Sequence, residues 1–152
     1  APVEWFCMKT FMRIVFTLLI FLNLVIISKV ALAETIQIEF TENDSYSLEI
    51  AYIDAGDTIE WLPKNEGHNV EFIAGPKMDE LPNNSKINES HSVLFKTPGV
   101  YFYGCTPHLN MGMLGLIIVG NDFHNLNEVN KIELSYVANS VLNRLIRTAQ
   151  SN

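Results

Sequence analysis

Residues 105–113 read CTPHLNMGM and place a thiol, an imidazole and two thioethers within nine positions. Each of these side chains can donate electrons to a metal, and their softness narrows the choice. A thiolate selects a soft metal, imidazole suits copper or zinc, and a thioether is so weak a donor that it mainly suits copper. Two imidazoles and one thiolate in a plane, with a long axial Met, form an electron-transfer copper site. Cys105 and His108 supply one thiolate and one imidazole, and either Met111 or Met113 can supply the thioether. His68, in GHNV 37 residues before Cys105, is the natural second imidazole.

The elements around these residues must bring them to one point. VYFYGC (100–105) reads as a strand ending at Cys105, and LGLIIVG (114–120) as the next strand, so the donors lie on the loop between them. A loop can turn several donors inward, whereas a strand sends alternate side chains to opposite faces. Pro107 stiffens the turn, and Gly112 lets the backbone fold back ahead of Met113.

Alternating segments upstream predict further strands at TIQIEF (35–40), YSLEIAYID (46–54), GDTIEWLP (56–63), HNVEFI (68–73) and HSVLFK (91–96). The TPG turn at 97–99 predicts that the last of these forms a hairpin with 100–105. Residues 74–90, polar and with two prolines, predict a long surface loop. LGLIIVG is nearly continuous in its apolar residues, as in a strand covered on both faces. Short strands without intervening helices predict a mainly β sandwich. The tail, from about residue 124, predicts two helices. Leu126, Val129 and Ile132 face inward on the first, and Val137, Val141, Leu145 and Ala149 recur every four residues on the second, with Leu142 and Ile146 beside them.

The front of the chain is of another kind. Lys9 and Arg13 precede an apolar run, Ile14–Ile27, of 14 residues, and SKVALA follows. A membrane span needs about 20 apolar residues, and Ala31-Leu32-Ala33 has the small-x-small form of a signal-peptide cleavage site. Residues 1–33 are therefore expected to be a secretory signal starting at Met8 and cut after Ala33, against the alternative of an uncleaved anchor over 11–30. Residues 1–7 fit no part of that pattern. Residues 34–152 keep 16 of the 17 acids and seven of the ten Lys and Arg, a net charge of −9. That charge opposes binding to nucleic acid or anionic lipid. Cys105 is the one cysteine in this stretch, and an exported lone thiol has no disulfide partner in its own chain.

In this order and spacing AYIDAGDTIEW, GHNV, SKINES, TPGVYFYGC, CTPHLNMGM and LGLIIVG resemble the pseudoazurins, bacterial blue-copper proteins. The likeness is close over about 50–120. The resemblance implies a cupredoxin-like Greek-key β-sandwich with two C-terminal helices and one type 1 copper held by His68, Cys105, His108 and Met113. It selects Met113 over Met111, because a loop two residues shorter, as in amicyanins, would use Met111. It also implies that Asn69, Thr106, Pro107 and Met111 surround the ligands, with the Asn69 N–H aimed at the Cys105 sulfur and its side chain bracing the loop. The implied function is electron transport in the periplasm, as a monomer, with redox partners such as copper nitrite reductase or a cytochrome. Pseudoazurins usually ring the exposed His edge with lysines; here Glu66, Gly104 and Asn84 stand at basic positions.

Competing functions fit less well. A copper oxidase needs an open coordination position or further copper ions, and only His91 and His124 remain as spare imidazoles. Both are expected to be ordinary surface histidines. A copper-storage or delivery protein would favour exposed Met/His clusters, and a zinc domain would find Met a poor donor.

Overall fold

The computed structural model describes residues 2–25 and 32–152. They divide into two compact units, 1–32 and 33–152. The first is a helix, α1 (Pro2–Val25). It begins ahead of Met8, so residues 2–7 continue the same helix. Residues 26–31, and with them Ala31 of the cleavage motif, lie outside the described residues. No described helix is long and apolar enough to cross a membrane.

In the second unit, seven strands form two sheets. One has the order β1 (Thr35–Glu39), β3 (Thr58–Leu62), β5 (His91–Leu94), and the other β2 (Ile50–Ile53), β7 (Leu114–Val119), β6 (Gly99–Gly104), β4 (Glu71–Ala74). β1 runs parallel to β3 and β2 parallel to β7, while the remaining pairs are antiparallel. From β1 to β6 consecutive strands therefore alternate between sheets, as a sandwich with crossing connections requires, and β6 and β7 are joined as neighbours in one sheet. Two helices follow, α2 (Leu126–Asn130) and α3 (Tyr136–Gln150).

Both faces of β7 are covered, as expected, and so are both faces of β6, because the core has two layers. Tyr101, Tyr103, Cys105, Met113, Ile117 and Val119 point between the sheets, where Ile38, Trp61 and Phe72 meet them. Val100, Phe102, Leu114, Leu116 and Ile118 point the other way, onto Val129, Leu142, Leu145 and Ala149 of the helices. A strand buried on both faces shows no alternation, which is why 114–119 reads as a continuous apolar run.

Three expectations need correction. HSVLFK and VYFYGC do not form a hairpin: β5 pairs with β3, and β6 lies between β4 and β7 in the other sheet. Alternation specifies which residues face inward but not which sheet receives the strand; the TPG turn carries the chain across the sandwich. The segment 68–73 is strand only from Glu71, since the backbone of 67–70 bonds instead to the loop that follows β4. On α3 the buried face is Ala138, Leu142, Leu145, Ile146 and Ala149, whereas Val137 is half exposed. A strict four-residue repeat drifts by about 40° per step around a helix of 3.6 residues per turn, so its far end leaves the interface. On α2 Val129 is buried and Leu126 packs beside it, and Ile132, just past the helix end, packs there too, all three facing inward as expected.

Candidate metal centre

β6 and β7 fix one half of the site. Their register pairs Gly104 with Leu114, so Cys105 and Met113 are the next opposed residues, tied by a Cys105 N–H to Met113 C=O bond of 3.1 Å. The loop between them closes on itself. His108 N–H donates to the Cys105 carbonyl at 3.0 Å, Met113 N–H to the His108 carbonyl at 3.2 Å, and a 3-10 turn spans Leu109–Met111. Gly112 ends that turn with φ +94°, and a Cβ there would lie 2.8 Å from Val141 Cγ2 of α3. Only glycine meets both demands without strain. Ser135 caps α3 and also donates its hydroxyl to the Asn110 carbonyl at 2.9 Å. The C-terminal helix thus packs on the donor loop itself.

His68 is fixed differently. The long loop after β4 returns and bonds to the segment around it. Asn88 Oδ1 accepts from Gly67 N–H at 2.6 Å, Asn88 N–H donates to the His68 carbonyl at 3.0 Å, and Ser85 Oγ accepts from Val70 N–H at 2.8 Å. The Phe40 ring meets the imidazole edge-on, with centroids 6.0 Å apart.

These two constructions converge. His68 Nδ1 lies 3.0 Å from His108 Nδ1, and Cys105 Sγ lies 3.7 and 3.4 Å from the two nitrogens. Two imidazole nitrogens and a sulfur aimed at one point are reconciled by a shared proton or a cation. Metal bonds of about 2.0–2.1 Å to nitrogen and about 2.3 Å to sulfur give a trigonal plane with edges of about 3.5–3.8 Å. The two sulfur–nitrogen edges, 3.7 and 3.4 Å, approach that size and the nitrogen–nitrogen edge, 3.0 Å, is shorter, so a small opening of the two rings fits these side chains to a metal. Among the described residues, this is the group of His, Cys, Asp and Glu side chains near enough to hold one.

Burial is uneven around the triangle. Cys105 and Met113 are buried and His68 is 3% exposed, whereas His108 is 20% exposed at its side chain. His108 is therefore the ring that reaches solvent, with Met111, 60% exposed, beside it on the same turn. Burial raises the Cys105 thiol above its ordinary pKa, and N–H groups of Asn69 and His108 pull it back toward the thiolate. Burial and the neighbouring His108 lower the pKa of His68, while Asp44 opposes them.

Asn69 links the two halves. Its side chain donates to Thr106 Oγ1 at 2.8 Å and accepts from Thr106 N–H at 2.7 Å, and Thr106 Oγ1 in turn donates to Glu71 at 2.7 Å. Pro107 follows in the turn and is exposed. His91 and His124 lie elsewhere, the first bonded to the Asn83 carbonyl and the second to Asp122. Gly104 has a local reason: a Cβ there would lie 2.3 Å from Leu109 Cδ1. A side chain at 104 would require the Leu109 side chain to move.

Sequence reasoning missed Asp44. Its Oδ1 lies 3.6 Å from His68 Nε2 and 3.8 Å from His108 Nε2, on the outer side of both rings. It lies 24 positions before His68 in a polar loop, and nothing in its spacing ties it to the other residues.

A family model described as copper binding proteins of the plastocyanin/azurin family matches residues 35–120. A putative pseudoazurin of Rhizobium leguminosarum bv. viciae is 43% identical over 91 residues, which cover 59% of this chain and 58% of the relative. The pseudoazurin of Paracoccus pantotrophus is 39% identical over 89 residues, covering 57% and 61%. The chain thus matches about three-fifths of the length of these relatives. The crystal structure of pseudoazurin from Methylobacterium extorquens AM1 superposes with a TM-score of 0.68 at 26% identity, covering 75% of this chain and 98% of that one.

Proposed function

The chain belongs to the copper-binding plastocyanin/azurin family, and from that premise we propose that it is an exported one-electron carrier. Its single copper would be held by His68, Cys105 and His108, with the Met113 thioether as the fourth, weak donor. The observation that carries the reading is the convergence of two Nδ1 atoms and one sulfur within 3.7 Å of one another.

Copper, when bound, supplies a change of one electron between its +2 and +1 states. The chain's own residues make that change fast and keep it clean. Cys105, His68 and Met113 are buried, so bulk water has no path to the sulfur. The loop bonds of 105–113 and the Asn69–Thr106 pair hold the donors where both oxidation states can use them. His108 offers the partly exposed ring edge at which an electron enters and leaves, with Met111 as an apolar contact beside it. A closed site of this kind offers no position for substrate, which favours a carrier over an enzyme.

In this reading residues 8–33 form a signal removed after Ala33, and residues 34–152 act as a monomer in the periplasm. Copper nitrite reductase and cytochromes are the candidate partner classes. Asp44 at both histidines and the exposed Glu66, two residues before His68, make an acidic partner face a poor match.

Voltammetry of the copper-loaded chain tests this. One reversible one-electron wave is expected, moved strongly by Met113→Gln and little by Met111→Gln. Equal movement by both variants would remove the axial assignment, and loss of copper on reduction would favour a delivery protein.

A further inference from the structure

Asp44 stands on a tightly built loop. Phe40 and Tyr46 bridge its base, Thr41 N–H donates to the Ser45 carbonyl at 2.9 Å, and the two hydroxyls of Thr41 and Ser45 lie 2.6 Å apart. Asn65 donates to the Phe40 carbonyl at 2.8 Å, and the Phe40 ring rests on His68. The loop is therefore anchored to the same segment that carries the buried imidazole. At its turn Asp44 takes φ +50°, a left-handed conformation that Asp and Asn tolerate better than most residues. The result is one carboxylate oxygen 3.6 and 3.8 Å from the outer nitrogens of two different rings. These separations are those of a charge contact, longer than a hydrogen bond.

We propose that Asp44 is a positioning residue for both histidines and a charge that sets the balance between the two copper oxidation states. The proposal rests on the copper-carrier reading. An imidazole carries its single neutral-form proton on one nitrogen, and the partner of that nitrogen decides which. A carboxylate facing both Nε2 atoms favours the tautomer with both protons on Nε2, which leaves both Nδ1 lone pairs free toward Cys105. Carboxylates behind metal-bound histidines commonly act in this way. The same negative charge stabilises the more positive metal state, so it lowers the reduction potential. Because Asp44 is 52% exposed, solvent screens part of this effect.

The test compares reduction potentials of copper-loaded wild type, Asp44→Asn and Asp44→Glu at low and high salt. Asn keeps the size and tolerates the same backbone, and removes only the charge. Asp44→Asn should raise the potential, equivalent to a fall of about two- to fivefold in the ratio of Cu(II) to Cu(I) affinity, the order expected for one partly exposed charge. Asp44→Glu should keep most of the wild-type value, and added salt should narrow the difference between Asp44→Asn and wild type. An Asp44→Asn potential equal to wild type at low salt, or a shift that Glu reproduces in full, would overturn the proposal. If Asp44→Asn failed to fold, Asp44→Gly, which accepts the same backbone conformation, would take its place, and a potential equal to wild type at low salt would again contradict the charge role. A chain that takes up no copper would instead sink the carrier reading, so the two failures are distinct.

Discussion

The two halves of the metal centre are held by different physics. His68 sits in a backbone segment with no sheet partner, and the following loop supplies its bonds from both backbone and side chains: Asn88 at Gly67 and His68, Ser85 at Val70, with Asn69 reaching across to Thr106. The 105–113 loop satisfies itself through its own backbone, and its outer surface is covered by α3 at Gly112 and Asn110. One half is a bonded cradle, the other a packed hairpin. The difference suits the task, because the buried ligand needs its polar backbone satisfied far from water, whereas the loop that meets solvent needs support from behind.

Variants can break one half at a time, and the packed half is the more sensitive. Gly112→Ala demands a left-handed alanine and drives its Cβ to 2.8 Å from Val141. A loss of about 2–3 kcal/mol is expected by urea unfolding, with weakened copper retention. A loss below about 0.5 kcal/mol would mean that α3 does not press on the loop. In the bonded half, Asn69→Ala removes both bonds to Thr106. A cost of about 1–2 kcal/mol is expected, with the colour kept and the potential shifted; an unmoved potential would reduce Asn69 to a purely structural role. The smallest effect is that of Ser135→Ala, about 1 kcal/mol from the lost cap and the lost bond to Asn110. Combining Asn69→Ala with Ser135→Ala sharpens the contrast, because the two residues share no partner. Their costs should add to within about 0.5 kcal/mol, and strong coupling would show the halves to be one unit.

Much of this was readable beforehand, for reasons that differ by feature. The donors announce themselves because soft side chains seldom cluster at this spacing, and a loop bounded by strands lets them turn inward. Strand β7 announces itself as an unbroken apolar run, and helix α3 through the period that burial of one face writes into the sequence. Pairing is another matter. HSVLFK and VYFYGC carry the same inward–outward code in either sheet, so their separation depends on long-range packing that alternation does not record. Val137 looked buried because four-residue spacing was extended one step too far. Asp44 was illegible for a different reason: its role depends on a loop folding back across 24 residues, and acids in polar loops are ordinary. Gly104 shows the converse, a residue whose meaning depends on where Leu109 comes to rest.

The most direct measurement is the visible absorption spectrum of the chain titrated with Cu(II), beside Cys105→Ser. An intense charge-transfer band from a thiolate–copper bond, saturating at one copper per chain and lost in Cys105→Ser, is the result the convergence of His68, Cys105 and His108 predicts. A wild type that binds copper without colour, or keeps its colour when Cys105 becomes Ser, would contradict it.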